Sequence, residues 1–387
     1  MPHFIIIDPC LFSLGGHEVV MDHFMCQQAQ VNGYEPLVLA HKNLDASVPF
    51  PCLPIFEFNP YHSDGANLKK DQQAFRLGNQ STFATLQKVL PSPRIAPKSV
   101  VVLHTACANI LLGVVLWLSK LNRPDISLKA VFRWSIGHRY SSHEFGLQCF
   151  KQVFTRLKQL PNYQLFVDSN SLQQHFQEFF PQNYAHTPIG VHFTHAPILP
   201  TDPPKPKKRH TFVFAGTPYK SKGGTLLCPA IRAHCQQFPE DRFCIHVCGL
   251  TPPQRKQFEN LPSQQVMLTY DFLHGAAYHN FIMQGDILLI PYNPKDYALR
   301  TSHILIEALG MGKAVIVSPH PWLQEQVSTP PVGIIMKDWS ARALAQAMRE
   351  IKFDNTYREQ AWRHAPYIRN THNPIAWFSS IMNPSTP

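Results

Sequence analysis

The chain has little of what would mark a disulfide-framed, metal-clustered, membrane-spanning or nucleic-acid-binding protein. Its nine cysteines contain no Cys-x-x-Cys pair. Their odd number and irregular spacing argue against a disulfide framework. Cys244 and Cys248 are four apart, but the segment around them reads as a strand. None of the twenty-one histidines falls in a ligand-spaced cluster with cysteine, so no metal is expected. Reduced, mostly buried thiols in a cytoplasmic protein are the expectation. Uninterrupted apolar runs of membrane length are also missing. Ser99–Leu118 is long enough, but His104, Thr105 and Asn109 break it, and a strand, a short polar turn and an apolar helix fit better. The start, Met-Pro-His-Phe-Ile-Ile-Ile-Asp, lacks the basic region and cleavage site of a signal peptide and reads as a first core strand. There is no Gly-x-Gly-x-x-Gly fingerprint, no Gly-x-x-x-x-Gly-Lys-Ser/Thr loop and no Gly-x-Ser-x-Gly elbow, which argues against a dinucleotide enzyme, a P-loop ATPase and a serine hydrolase. No catalytic cysteine is indicated, and no repeat of fixed period appears. Aromatic–basic RNA motifs and a helix-turn-helix are lacking as well, so nucleic acid is not an expected partner.

What is present is a packed α/β pattern. Hydrophobic residues make up 44% of 387 residues, more than one ordinary core needs. The thirty-five prolines scatter and suggest loops, except at 196–210 (APILPTDPPKPKKRH), which reads as an exposed linker. On either side, short Val/Ile/Leu-rich strands alternate with helices. This predicts parallel sheets covered on both faces, in two Rossmann-like doubly wound domains facing a central cleft. The expected division is 1–196, a linker over 197–210, a second domain over 211–365, and a tail over 366–387 that packs back on the first domain. Residues 43–98 carry no strong signal. The net charge of +10 implies anionic partners. Lys120, Lys129, Arg133, Arg139, Lys151, Arg156 and Lys158 fall in one segment, either a solvated face or a surface facing an acidic membrane or polysaccharide.

The densest chemistry lies in Arg300-Thr301-Ser302-His303-Ile304-Leu305-Ile306-Glu307-Ala308-Leu309-Gly310. It reads as a helix with a cationic start. Its unpaired N–H groups and dipole suit a phosphate, and Arg300, Thr301 and Ser302 add donors there. Glu307, two turns on, offers an acceptor for ribose hydroxyls; the alternative is an internal salt bridge. Lys222-Gly223-Gly224 follows a strand and precedes a helix, with the lysine as a mobile charge for phosphate or as a solvated loop residue. Gly15-Gly16 occupies the same kind of turn after the first strand and is either a ligand approach or a tight turn. His104 ends a strand and is either a cleft residue or a core histidine; His138 is its rival.

Taken together, these segments resemble the retaining, family 4 type of two-domain GT-B glycosyltransferases (glycosyl transferases group 1). Ile306-Glu307-Ala308-Leu309-Gly310-Met311-Gly312-Lys313-Ala314-Val315 is similar to that family's donor-site core. Phe214-Ala215-Gly216 through Lys222-Gly223 is similar to its phosphate loop, Pro188-Ile189-Gly190-Val191 to its Pro-Asn-Gly-Val turn, and Gly15-Gly16-His17-Glu18 to its first glycine loop. The resemblance implies transfer of a hexosyl group from a nucleoside diphosphate sugar to a hydroxyl of a glycan or lipid-linked acceptor, with retention and without a metal. No cofactor beyond the sugar nucleotide is implied. Glu307 would bind ribose, Lys222 and the backbone from Arg300 to Ser302 the diphosphate, His104 the donor sugar as the catalytic residue, and Gly16 would leave room for diphosphate and acceptor. Two positions depart from the family pattern. Leu299 stands where a second Glu is usual, and Thr217 where an Arg is frequent, with Arg300 or Lys220 as substitutes. Leu299 supports the alternative of an inactive nucleotide-sugar or glycan-binding protein of the same fold. The implied location is cytoplasmic, with peripheral contact to an acidic membrane surface in view of the basic segment.

Overall fold

A computed structural model describes residues 1–12, 17–44, 47–60, 67–193, 196 and 198–384, with the His17 side chain left aside. Tertiary contacts divide the chain into two units, 1–190 with 374–387, and 191–373. The glycine loop Gly15-Gly16 lies outside the described residues.

The first unit holds β1 (His3–Asp8), α1 (His17–Val31), β2 (Glu35–His41), β3 (Cys52–Phe56), α2 (Leu68–Val89), β4 (Val100–Leu103), α3 (Ala108–Leu121), β5 (Ser127–Phe132), α4 (His143–Leu157), β6 (Tyr163–Val167), α5 (Asn170–Phe179) and β7 (Tyr184–His186). Its strands form one parallel sheet in the order β3-β2-β1-β4-β5-β6-β7. The order reverses between β1 and β4, which opens a crevice beyond their carboxyl ends. β4 is buried along its whole length, as a central parallel strand must be. The 99–118 stretch is thus a strand, a turn and a helix, and among the described residues no helix is long and apolar enough to cross a membrane.

The second unit continues with β8 (Thr211–Phe214), α6 (Gly224–Gln237), β9 (Arg242–His246), α7 (Pro252–Glu259), β10 (Val266–Thr269), α8 (Gly275–Met283), β11 (Ile287–Ile290), α9 (Pro294–Tyr297), α10 (His303–Gly310), β12 (Ala314–Val317), α11 (Pro321–Ser328), β13 (Gly333–Ile335), α12 (Ala341–Phe353) and α13 (Thr356–Thr371). Its parallel order is β10-β9-β8-β11-β12-β13, with the reversal between β8 and β11. α14 (Pro374–Met382) belongs to the first unit. Its Trp377, Phe378 and Ile381 join Phe4, Ile6, Met25 and Val38 in one buried cluster.

Residues 43–98, which carry no strong sequence signal, contain β3 and the 22-residue α2. The α2 sequence is mostly polar. It packs on α3 through two glycines: a Cβ on Gly113 would lie 2.5 Å from the Asn79 carbonyl oxygen, and one on Gly78 would lie 2.6 Å from that of Asn109. Asn79 sits between them and closes the contact. Its side chain donates to Ala108 O at 3.0 Å and accepts from Gly113 N at 2.8 Å. Close backbone approach therefore replaces the wide apolar stripe that a sequence search looks for. The basic segment also differs from a single exposed face. Lys129 and Arg133 are buried, 7% and 8% exposed, and the Lys129 ammonium donates to Gln164 Oε1. As a β5 residue next to β6, Lys129 points into the layer over the sheet rather than to solvent.

Candidate functional site

Most of the residues singled out in the C-terminal half gather at the carboxyl ends of β8 and β11. β8 runs into Gly216, which has φ +92°; a Cβ there would lie 3.2 Å from Lys222 Nζ and 3.5 Å from Ile304 Cδ1. The loop after β8 therefore touches both its own lysine and the first turn of α10. Gly223 caps α6 in the left-handed region, φ +80°. A side chain there would drive a Cβ to 2.0 Å from Pro291 O, and one on Gly224 to 1.8 Å from Pro218 O. No larger residue fits either place, because both approaches are to backbone atoms. This is why the Lys-Gly-Gly sequence holds the lysine against the ends of the strands.

Lys222 is half-buried, and burial followed by the charge of Arg300 holds its ammonium below the usual lysine range. Arg300 lies with its guanidinium carbon 4.4 Å from the centre of the Tyr297 ring. Among the described residues neither cation takes part in an ion pair. Two cations in mutual repulsion, beside a helix N-terminus, make a receptor for an anion. That helix is α10. Ser302 caps it, accepting from Leu305 N at 3.2 Å, and leaves the preceding backbone and Thr301 at its cationic start. Thr217, by contrast, is occupied: its hydroxyl donates to Cys248 O at 2.7 Å and ties the β8 loop to the segment after β9. Lys220 is exposed, so Arg300 is the cation that bears on Lys222.

Glu307 has no cationic partner among the described residues. Tyr278, on α8, donates to Glu307 Oε2 at 3.0 Å. Burial lifts the Glu307 carboxyl to about 7 against the opposing effect of that hydrogen bond. A salt-bridged acid would be held low; Glu307 instead has one oxygen held by Tyr278 and is raised by burial. Tyr278 escaped the sequence reading, since nothing local to Ala276–Met283 marks it, and only the pairing of α8 with α10 brings it to Glu307.

In the first unit, His104 follows β4 and is 4% exposed. Its Nε2 lies 3.3 Å from Asp8 Oδ2 and 3.3 Å from Asp22 Oδ1, and its Nδ1 lies 3.2 Å from Thr105 Oγ1. Burial opposes the charged imidazole, but Asp22 and Asp8 prevail and lift it to about 10. Burial and the charge of Asp8 push Asp22 up to about 7. These three are also the group among the described residues with ligand atoms close enough to share a metal ion. Neither aspartate carries a sequence signal: Asp22 lies in a helix among apolar residues, and Asp8 is separated from His104 by 96 positions. His138, the rival, packs its ring on Trp134 with centroids 4.8 Å apart. None of the nine cysteines forms a disulfide.

A family profile described as glycosyl transferases group 1 matches residues 209–353. A comparison with curated proteins finds no significant relative. Among solved structures, a glycosyltransferase from Rickettsia africae is similar at TM-score 0.67 and 14% identity, with 100% of each chain covered. Sucrose-phosphate synthase from Thermosynechococcus elongatus gives TM-score 0.66 and 14% identity over 98% of this chain and 97% of that one. An E. coli trehalose-6-phosphate structure bound with UDP-2-fluoro glucose gives 0.69 and 10% over 98% of both. At these identities the likeness is one of fold, and it extends over both units.

Proposed function

We propose that this chain, which has the fold of the GT-B glycosyltransferases and over residues 209–353 matches the group 1 glycosyl transferases, moves a hexosyl group from a nucleoside diphosphate sugar to a hydroxyl acceptor, with retention at the sugar and without a metal at the diphosphate. The observation that carries this reading is the meeting of Lys222, Arg300 and the capped start of α10 with Glu307 two turns along the same helix. The diphosphate is read onto the α10 N-terminus between the two cations, and the ribose hydroxyls onto Glu307. As the bond from sugar to diphosphate breaks, negative charge grows on the leaving oxygen. Fixed cations and backbone N–H groups are already in place to receive it, so the barrier falls without reorganisation. An acceptor hydroxyl, on a glycan or a lipid-linked sugar, then bonds to the anomeric carbon and passes its proton to the departing diphosphate oxygen.

His104 enters this proposal with a constraint. To reach a sugar through a ring nitrogen it would have to give up Asp8, Asp22 or Thr105, so the donor-side reading rests on the C-terminal unit. Leu299 supports a second reading, a nucleotide-sugar or glycan binder without turnover. The two separate in one experiment: purified protein with a panel of UDP-, GDP- and ADP-sugars, reading release of nucleoside diphosphate, with Glu307→Ala alongside. Release from one donor, reduced by about 100-fold or more in the variant, is the expected result. Tight, Glu307-dependent binding without release on a range of glycan acceptors would favour the binder. Neither release nor binding would overturn the donor-site reading.

A further inference from the structure

The ends of β1 and β4 hold a constellation that the donor-side reading leaves unused. Asp8 closes β1, His104 follows β4, and Asp22 lies on α1; they are 4%, 4% and 0% exposed. The candidate ligand atoms of the three lie within 4.8 Å of one another. Two of the groups are oriented from behind. Asp8 Oδ1 accepts from Cys10 N at 2.9 Å, which leaves Oδ2 toward His104, and the far ring nitrogen of His104 is engaged by the Thr105 hydroxyl at 3.2 Å. Asp22 is different. Neither carboxylate oxygen has a hydrogen-bond partner, although Oδ1 is aimed at His104 Nε2 from 3.3 Å.

We propose that Asp8, Asp22 and His104 are the protein ligands of one divalent transition-metal ion, zinc by the chemistry of the donor set, fastening α1 to β1 and β4. Counting hydrogens gives the first argument. Nε2 carries one hydrogen at most, and two carboxylate oxygens converge on it, so hydrogen bonding leaves Asp22 without a donor. If Nδ1–H donates to Thr105, Nε2 presents a lone pair to both carboxylates, an arrangement that a cation among them resolves. Hydrogen-bonding the far nitrogen of a ligating imidazole is how such ligands are commonly oriented. The second argument is charge. Without a metal, an imidazolium between two ionised carboxylates would leave one negative charge buried and uncompensated, which is costly, and the metal-free group balances only if a carboxyl keeps a proton. A neutral imidazole, two carboxylates and a divalent ion sum to zero. Geometry is the third. Zinc bonds to His nitrogen and carboxylate oxygen at about 2.0–2.2 Å, and tetrahedral ligands at that distance are about 3.3–3.5 Å apart. Both Nε2-to-oxygen distances are 3.3 Å, longer than the usual charge-assisted hydrogen bond of about 2.7–2.9 Å. Asp8 and His104 also line a cavity of about 10 Å³ with Pro9, Pro60 and Thr105, close to the space for one water, which would supply the fourth ligand.

The test uses the full chain and is independent of turnover. Protein grown with zinc is analysed for metal, then stripped with a chelator and titrated with Co²⁺. The expected results are about one zinc per chain, its loss in Asp22→Asn and His104→Gln, and intense visible d–d bands of tetrahedral Co²⁺ without the near-ultraviolet thiolate charge transfer that a cysteine site would show. Substoichiometric zinc in the wild type would overturn the proposal and leave the three groups sharing protons instead. So would zinc retained in Asp22→Asn, a thiolate charge-transfer band, or the weak spectrum of octahedral Co²⁺. If either variant fails to fold, the wild-type cobalt spectrum decides by itself.

Discussion

Glu307 shows at the scale of one residue how burial sets a working charge. Its carboxyl is raised to about 7 by burial, and the Tyr278 hydroxyl partly offsets that. A raised carboxyl favours the protonated form in the folded chain, so ionising Glu307 costs stability as pH rises from the ordinary carboxyl range through about 7. In the proposed site, ribose hydroxyls would donate to the ionised form. Nucleoside diphosphate affinity is therefore expected to be greater at pH 8 than at pH 6, and calorimetric titration would show the difference flattened in Glu307→Gln. That variant should also melt higher than the wild type at pH 8, since it removes the buried charge. Tyr278→Phe deletes the hydrogen bond that lowers the carboxyl, and the midpoint of the affinity profile should move to higher pH. An unchanged midpoint would mean that Tyr278 contributes packing alone. The pair is half legible in the sequence: Glu307 stands out as an acid among apolar neighbours, whereas Tyr278 is an ordinary helix residue until the fold brings its hydroxyl to Glu307.

Elements carry the next set of expectations. The turn between β8 and α6 depends on two glycines that admit no Cβ. Gly223→Ala places a side chain at φ +80° and 2.0 Å from a carbonyl oxygen, which should cost about 2–4 kcal/mol of unfolding free energy in urea titration and displace Lys222 enough to weaken nucleotide binding. Ser302→Ala removes the cap of α10 at a cost of about 1 kcal/mol, with binding of the nucleoside diphosphate reduced more than overall stability. In the first unit, Asn79→Ala would remove the two hydrogen bonds that its side chain makes from α2 to Ala108 O and Gly113 N of α3, at about 1–3 kcal/mol. A cost below that range would show that water replaces the amide. The glycine loop was legible from its position between a strand and a helix. α2 was not, because the features that seat it are a glycine contact and one asparagine, not an apolar period.

At the scale of the whole molecule, the chain leaves its first unit at Gly190 and returns to it at Pro374. Trp377 is fully buried, and Phe378 stands 5.2 Å from Phe4 between ring centres. Trp377→Ala is expected to cost about 3–5 kcal/mol, with hydrogen exchange accelerated in β1 and β2 but little changed in β8 and β11. Uniform acceleration would mean that the two units unfold as one. The sequence by itself determined the class of the fold, because strands buried on both faces must be short apolar runs and the helices between them must alternate. It also determined the cationic start of α10, since a helix start and its cations are local and Arg300 to Glu307 lie in one continuous stretch. Only the tertiary structure decided that Asp8, Asp22 and His104 meet, that Lys129 and Arg133 of the basic segment are buried, and that Tyr278 holds Glu307. Those contacts join positions far apart in the chain, and they follow from strand order and helix packing, which no local pattern of residues encodes.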